Sequence, residues 1–166
     1  MTKLYIKEHV FTLGDKFTVK DEYGNDKYFV EGEIFTLGKK LHIYDTNGNE
    51  VAFIEQQLLT FLPRYNVFCN GEQVAEIKKE FSFIFPVYNI SGPDWHIEGD
   101  FTAHDYTIIQ DGTPIVSINK EWMTWGDSYE LNITNDNDEI LALAVVIAID
   151  CVTENNSGVS VSFSTN

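Results

Sequence analysis

The sequence predicts an all-β protein with one helix, in which about twelve antiparallel strands form a barrel of hairpin repeats around a hydrophobic C-terminal helix. Three observations support this prediction. Turn motifs recur roughly every 20 to 24 residues, the segments between them alternate apolar and polar residues, and one late segment is apolar almost throughout. Aromatic residues make up 14% of the chain, and flat side chains suit the pleated surface of a sheet.

The composition predicts one acidic domain spanning residues 1–166, because 166 residues are enough to bury a core. The formal net charge is −15, with 26 carboxylates against 11 basic side chains. Binding to nucleic acid draws on clustered lysine and arginine, so this balance argues against a nucleic-acid partner. It also opposes anionic membrane surfaces, although such a charge often serves solubility alone.

Cysteine usage and the first residues favour the cytoplasm. Cys69 and Cys151 lie far apart and have no spacing typical of a disulfide framework or a zinc site. Charges at Lys3, Lys7 and Glu8 come too early for the apolar core of an export signal. We therefore expect reduced thiols and a cytoplasmic protein.

Six turn signals divide the chain into hairpins. Asn-Gly and Asp-Gly pairs suit tight turns because these residues adopt positive φ at little cost. The turns are Tyr23-Gly24-Asn25, Asn47-Gly48-Asn49, Asn70-Gly71-Glu72, Ser91-Gly92-Pro93, Asp111-Gly112-Thr113 and Asn135-Asp136-Asn137-Asp138.

A second motif recurs between the turns, where an aromatic residue, a small residue and an aromatic or aliphatic residue precede a bend and the next strand. Copies in phase with the turns support a repeated unit. The clear copies are Phe11 to Phe17, Phe35 to Leu41 and Met123 to Tyr129, and the weaker ones are Leu59 to Tyr65 and Phe83 to Tyr88.

The strands themselves show the period of two that is typical of half-buried strands. Phe17 and Val19 share one face, while Thr18 lies on the other. Closing this many strands into a barrel removes the exposed edges of an open sheet. We predict strands near residues 4–9, 16–21, 27–33, 41–46, 50–56, 64–69, 73–79, 87–91, 95–100, 104–110, 114–120 and 128–134.

The apolar run from Ile140 to Ile149 predicts the helix, near residues 138–150. Its alanines favour a helix, although its β-branched residues would equally suit a strand. Asp136, Asn137 and Asp138 provide capping oxygens. Ten helical residues span about 15 Å, half of a bilayer core of about 30 Å, so no transmembrane segment is expected. A helix that is apolar all round must be enclosed by protein, and a barrel this wide has room for it.

The tail, residues 151–166, is expected to be a loop followed by an alternating segment, Val159 to Phe163, which could form a short edge strand. No function follows from these residues.

The order of these parts, twelve strands in hairpins and then a hydrophobic helix, resembles the tubby C-terminal-like fold, and in particular its LURP-one-related branch with small bacterial members. The similarity extends from about Tyr5 to Asp150. It rests on Gly14-Asp15-Lys16-Phe17, Asp21-Glu22-Tyr23-Gly24-Asn25, Lys39-Lys40-Leu41, Asp45-Thr46-Asn47-Gly48, Gly92-Pro93-Asp94-Trp95, Glu98-Gly99-Asp100-Phe101, Trp125-Gly126-Asp127-Ser128-Tyr129 and the helix from Leu141 to Asp150.

The resemblance implies two activities by analogy. Tubby domains bind phosphoinositide head groups through a basic pocket, and the related scramblases associate with membranes and calcium. The paired lysines, Lys39 with Lys40 and Lys78 with Lys79, are the candidates for contacting a lipid head group. Paired lysines at strand ends also commonly face solvent or protect a sheet edge.

Two polar clusters could hold a metal ion or act in catalysis. His96, Glu98, Asp100, His104 and Asp105 could ligate a metal or serve as acid and base, and the same pattern is typical of the solvent face of a strand. The run from Asn135 to Glu139 resembles part of a calcium loop. It lacks the glycine and the distant glutamate of that motif, and helix capping explains it equally well.

These observations predict a non-enzymatic binding or scaffold domain that acts through the loops at one barrel end on a protein or lipid-like partner. No catalytic motif, cofactor motif or metal site is identified. The alternatives are a membrane-proximal phospholipid or phosphoinositide binder and, third, an enzyme using the cluster from His96 to Asp105. A continuous basic concavity would favour the lipid, and an exposed apolar patch formed by the Phe-Thr-Leu-Gly bends would favour a protein partner.

Overall fold

The computed structural model describes residues 1–7, 16–80, 87–123 and 126–154. Twelve antiparallel strands lie in the order β8-β7-β6-β5-β4-β3-β2-β1-β12-β11-β10-β9. They are β1 Thr2–Lys7, β2 Lys16–Asp21, β3 Asp26–Gly32, β4 Lys40–Asp45, β5 Glu50–Gln56, β6 Arg64–Cys69, β7 Glu72–Glu80, β8 Val87–Ser91, β9 Trp95–Asp100, β10 Asp105–Gln110, β11 Thr113–Met123 and β12 Gly126–Ile133.

The strands form a nearly closed barrel. β1 pairs with β2 on one side and with β12 on the other, which joins the two halves of the chain. The outermost strands of this order, β8 and β9, are consecutive in sequence and lie against each other. No ladder joins them within the described residues. The predicted architecture is confirmed.

Helix α1, Glu139–Glu154, occupies the interior and contacts β5, β6, β7 and β12. Every residue from Ala142 to Ile149 is fully buried, as expected of a helix that is apolar all round. In the part of the chain that the structure describes, no helix has the length and apolarity needed to cross a membrane.

The helix differs from its predicted range at both ends. It continues past residue 150 because Cys151 and Val152 extend the buried face. At its start, Asp136–Asp138 form a separate 3-10 turn, and the capping residue of that turn is Asn135, whose side chain accepts a hydrogen bond from the Asn137 amide at 3.2 Å.

All twelve strands lie close to their predicted positions. The largest shifts are in β1 and β11. Strand β1 begins at Thr2 because Thr2 still pairs with Ile133 of β12. Strand β11 extends to Met123, which pairs with Gly126 of β12. Some sequence predictions fall outside the described residues: the end of the first strand at residues 8–9, the bend at Phe11, the bend at Phe83, residues 124–125 of the third clear copy of the second motif, and the strand from Val159 to Phe163.

Because neighbouring strands are antiparallel, the connections between them alternate between two ends of the barrel. The turn end carries the short connections, including residues 22–25, 46–49, 70–71 and 111–112. The loop end carries the described connections 33–39, 57–63 and 101–104. Helix α1 runs from the turn end, where Glu139 accepts a hydrogen bond from Tyr28, to the loop end, where Asp150 meets His104.

Candidate functional site at the loop end

Two neighbouring loops at the loop end expose large apolar side chains. Phe35 and Leu59 are fully exposed, at 101% and 106% of their reference areas. The loops touch, since a Cβ atom added to Gly38 would lie 2.8 Å from Leu58 Cδ2. Clustered exposure of this kind is uncommon on a monomeric protein. We call this surface the apolar tip patch; it consists of Ile34, Phe35, Leu37, Leu58, Leu59 and Phe61.

Both loops hold their apolar tips in the same unfavourable backbone conformation. Phe35 has φ 66° and Leu59 has φ 59°, a region that costs an L-residue roughly 1–2 kcal/mol. Each loop is closed at its base by the same hydrogen bond, from the Glu33 amide to the Lys40 carbonyl at 3.0 Å and from the Gln57 amide to the Arg64 carbonyl at 2.9 Å. The patch is therefore built by a repeated and ordered structure.

The four candidate lysines lie directly behind the apolar tip patch. Lys39 and Lys40 stand where the first loop enters β4, and Lys78 and Lys79 stand near the loop end of β7. Strands β5 and β6 separate the two pairs. Carboxylates lie among them: Lys40 Nζ is 3.2 Å from Glu55 Oε1, and Glu76 on β7 holds Arg64 at 3.4 Å.

Three surface grooves of about 500, 330 and 260 Å³ are present on the described barrel, and none is lined by lysine or arginine. The one with the largest volume of these three lies on the outer wall of β5 and β6 beside Phe53 and Phe68. The basic residues of the loop end are thus not gathered around any of these concavities.

A buried polar network anchors the end of helix α1 beneath the loop end. Tyr129 donates a hydrogen bond to Asp150, and His104 Nε2 lies 3.3 Å from the other oxygen of that carboxyl group. The His104 ring stacks on the Tyr129 ring at 4.2 Å. Burial and the charge of Asp150 raise the pKa of Tyr129 far above its usual range. Tyr129 is therefore a permanent donor that holds the helix in place.

Tyr106 lies in the same network, and its hydroxyl has no hydrogen-bond partner among the described residues. Burial, and next the charge of Asp150, raise its pKa well above the usual range. Its side chain is 3% exposed, so no substrate has access to it.

The structure does not gather the cluster from His96 to Asp105 into one site. His96 and Glu98 lie on the exposed face of β9, 3.6 Å apart. Asp100 accepts hydrogen bonds from the Thr102 hydroxyl and amide, and these hydrogen bonds together with that of the Ala103 amide hold its pKa below the usual range. His104 turns inward to Asp150. Among the described residues, no group of three or more His, Cys, Asp or Glu side chains could hold a metal ion.

In the run from Asn135 to Glu139, the side chains of Asn135, Asp136 and Glu139 accept hydrogen bonds within the fold. Asp136 Oδ1 accepts from the Thr2 hydroxyl at 2.7 Å and pairs with the N-terminal ammonium group at 2.8 Å. Glu139 accepts from the Tyr28 hydroxyl at 2.7 Å and pairs with Lys27 at 2.6 Å. These contacts attach the start of the helix to β1 and β3.

One arrangement next to the first loop was not predicted. His42, on the outer face of β4, lies between two carboxylates, with Nε2 2.8 Å from Glu33 and Nδ1 2.6 Å from Glu50. Its ring packs against Phe53 with 4.7 Å between ring centroids. These residues are brought together only by the register of β3, β4 and β5, which spacing along the sequence does not specify.

Comparisons with known proteins agree with this structure. A family model described as LURP-one-related matches residues 2–150. The Bacillus subtilis protein YxjI, named as an uncharacterized protein, is 34% identical over 161 residues, which cover 97% of this chain and 99% of that protein. An X-ray structure of an Arabidopsis thaliana protein has a TM-score of 0.62 at 17% identity, with 90% of each chain covered. This last likeness shows the shared fold.

Proposed function

The chain belongs to the LURP-one-related family, and we propose that it is a non-enzymatic binding domain that docks a protein partner through the apolar tip patch. The observation that carries the proposal is the exposure of Phe35 and Leu59, each at the tip of a loop and each at positive φ. Their side chains project away from the barrel, as residues that enter a pocket on a partner would.

The energetics support docking at these positions. Burying one large apolar side chain gains about 1.5–3 kcal/mol, so a partner that covers only Phe35, Leu59 and Phe61 has several kcal/mol available. Backbone strain persists where the surrounding structure holds it, and such positions cluster at functional sites. If these loops served stability alone, glycine or asparagine would be expected at the two strained positions, because those residues adopt positive φ at lower cost.

Two further parts of the proposal concern chemistry and location. The absence of an enzymatic role is supported by the burial of Tyr106 and Tyr129, whose raised pKa values keep both hydroxyls protonated. A reducing compartment, the cytoplasm, is supported by Cys69 and Cys151, which are not joined in a disulfide within the described residues.

Photo-crosslinking tests the proposal. The photoreactive residue p-benzoylphenylalanine is placed at position 35 or 61 of the full chain and activated in the cells that produce it. The same residue at position 23 is the matched control, since Tyr23 is an aromatic residue exposed by 81% at the turn end. We expect one protein to be captured at 35 and 61 but not at 23, and to bind the purified chain.

Variants then test whether the patch itself carries the affinity. Leu59→Ser and Phe61→Ser should each weaken binding of the purified partner by tenfold or more, since about 1.4 kcal/mol corresponds to a factor of ten. Tyr23→Ser should leave binding unchanged. Full affinity in a folded Leu59→Ser, Phe61→Ser double variant would refute the proposal.

A phospholipid is the alternative occupant, favoured by the lysines behind the patch. At about 1 kcal/mol for each basic side chain, four lysines supply roughly 4 kcal/mol, which corresponds to about millimolar affinity before the acidic charge is counted. We expect no co-sedimentation with phosphatidylserine or phosphoinositide vesicles at physiological salt. Binding that is lost when Lys39, Lys40, Lys78 and Lys79 are replaced by alanine would make the lipid the partner.

A further inference from the structure

His42 lies between the first loop of the apolar tip patch and the barrel wall, because one of its two carboxylate partners is the first residue of that loop. Glu33 is the first residue of loop 33–39, and its amide closes the base of that loop against Lys40. The other partner, Glu50, is the first residue of β5. The imidazole therefore connects the base of the loop to a strand of the barrel wall.

We infer that His42 is a pH-dependent tether, which holds the base of loop 33–39 to the barrel wall and releases it as the pH rises. This regulation rests on the proposed function of the apolar tip patch, which includes Ile34, Phe35 and Leu37 of the same loop. Release changes how these three side chains are presented to a partner.

The chemistry of the ring explains why the tether depends on protonation. A protonated imidazole donates from both nitrogens, so it can bind Glu33 and Glu50 together. A neutral ring has one N–H and must turn a lone pair towards one of the carboxylates. Glu33, 2.8 Å away, belongs to a loop, whereas Glu50, 2.6 Å away, belongs to strand β5. Because the loop can move and the strand is fixed in the sheet, deprotonation is expected to release the loop and to keep the bond to β5.

The two carboxylates favour the charged form of the His42 ring. Partial burial lowers the pKa of His42, but the hydrogen bonds to Glu33 and Glu50 raise it by more, and the net pKa lies above the usual value. Histidine ordinarily titrates near 6.5. A raised pKa in the folded state means that the tether is complete below about 6.5 and is lost as the pH rises through the folded value.

The other charged groups around His42 are paired with one another, which leaves Glu33 and Glu50 as its partners. The Tyr44 ring stacks on His42 at 6.1 Å, and burial followed by the charge of Glu50 raises the pKa of Tyr44. Two ion pairs lie on the strands packed around His42: Glu31 on β3 with Lys16 on β2, at 2.9 Å, and Glu55 on β5 with Lys40 on β4, at 3.2 Å.

The chain supplies its own control in the next repeat. Loop 57–63 has the same closing hydrogen bond and the same strained tip as loop 33–39. Gln57 takes the position of Glu33, and Asn66 takes the position of His42 on the following strand. Neither of these side chains titrates, so the second loop is the neutral version of the first.

Amide hydrogen exchange of the full chain tests the tether without any partner. The protection factors of the Glu33 and Gln57 amides are measured from about pH 5.5 to about pH 8.5, and NMR follows the His42 ring over the same range. We expect the ratio of Glu33 to Gln57 protection to fall as the pH rises from about 6.5 through the measured pKa of His42. The fall should be about tenfold for each unit by which the tether raises that pKa.

Two variants give the first loop the non-titrating side chains that the second loop has at the corresponding positions. His42→Asn and Glu33→Gln should each give a ratio that does not change with pH, while circular dichroism shows an unchanged fold. A constant ratio in the parent protein while His42 titrates would overturn the tether, as would a pH-dependent ratio that persists in His42→Asn. Crosslinking at position 35 reports separately on the proposed function, because it can fail while the exchange ratio still changes with pH.

Discussion

The two ends of the barrel solve the same backbone problem with different residues. At the turn end, glycines provide positive φ, for example Gly24 and Gly48 at 83°. At the loop end, Gly38 has a positive φ as well, but Phe35 and Leu59 adopt the same region although neither is a glycine. Glycine carries no steric cost there, whereas a large L-residue does. The turn end is built for stability, and the loop end accepts strain in order to expose apolar side chains.

Hydrogen bonding shows the same contrast. At the turn end, Asp45 Oδ1 accepts from the Asn47 and Asn49 amides, both at 2.9 Å, and Oδ2 accepts from the Asn49 side chain at 3.0 Å. Asp21 makes the equivalent three bonds in the preceding hairpin. At the loop end, the backbone hydrogen bonds of loops 33–39 and 57–63 lie at their bases. Within each loop one threonine hydroxyl donates to a carbonyl group, Thr36 to Gly38 at 2.9 Å and Thr60 to Gln57 at 3.3 Å, and the exposed tips are apolar.

The largest effect is expected where the two ends are joined, in helix α1. Val146→Asp should abolish soluble folding, because an unpaired carboxylate at a fully buried position costs several kcal/mol, comparable with the stability of a whole domain. The control is Val87→Asp at an exposed strand position, which should fold normally. A soluble Val146→Asp protein with an unchanged melting temperature would show that the helix does not fill the barrel.

A smaller loss of stability is expected when glycines of the turn end are replaced. Gly48 and Gly112 have φ 83° and 73°, and no atom lies within 4 Å of an added Cβ, so a substitution there reports on the backbone alone. Gly48→Val and Gly112→Val should each lower the free energy of unfolding by about 1–2 kcal/mol. The measurement is the urea midpoint, with Thr46→Val as the control in the same hairpin. Parental midpoints for both glycine variants would contradict the assignment of these turns.

The fold could be predicted largely because its signals are local. Positive-φ turns, alternating strands and one apolar run each fit within a few residues, and their repetition fixed the order of parts. The candidate site depended on contacts between distant positions. His42 meets Glu33 and Glu50 only through strand register, and His104 was grouped with His96 by sequence although its ring turns inward to Asp150. The exposed bends of Phe35 and Leu59 were visible in the repeat, but their exposure required the structure.

The loop end should respond to substitution in the opposite direction. Leu59→Asn and Phe35→Asn replace a strained apolar residue with one that tolerates the left-handed region, and little buried contact is lost because both side chains are fully exposed. Each variant should raise the free energy of unfolding, by up to about 1 kcal/mol. Urea midpoints check the stability, and the crosslinked partner checks the expected loss of binding. Destabilised variants would mean that these tips support the fold.

The smallest expected effect distinguishes the two ends by the pH at which each weakens. The Asn49 side chain, and next its amide, hold the pKa of Asp45 below the usual range of an aspartate. A lowered pKa in the folded state contributes stability above the unfolded value of about 3.9, and that contribution is lost as the pH falls through the folded value. At the loop end, His42 has a raised pKa, so its tether is lost as the pH rises.

Comparing the parent with Asp45→Asn tests the acidic limit of the turn end. The variant cannot bind Asn49 as a charged acceptor, so its urea midpoint should be slightly lower than that of the parent at pH 7. The difference should shrink as the pH falls below about 3.9 and disappear once the pH lies below the lowered folded pKa of Asp45, where the parent aspartate is protonated as well. Between about pH 6 and pH 8.5, well above the range in which an aspartate titrates, the difference should stay constant. A difference in urea midpoint between parent and variant that persists below the folded pKa of Asp45 would show that the charge of Asp45 does not stabilise the turn.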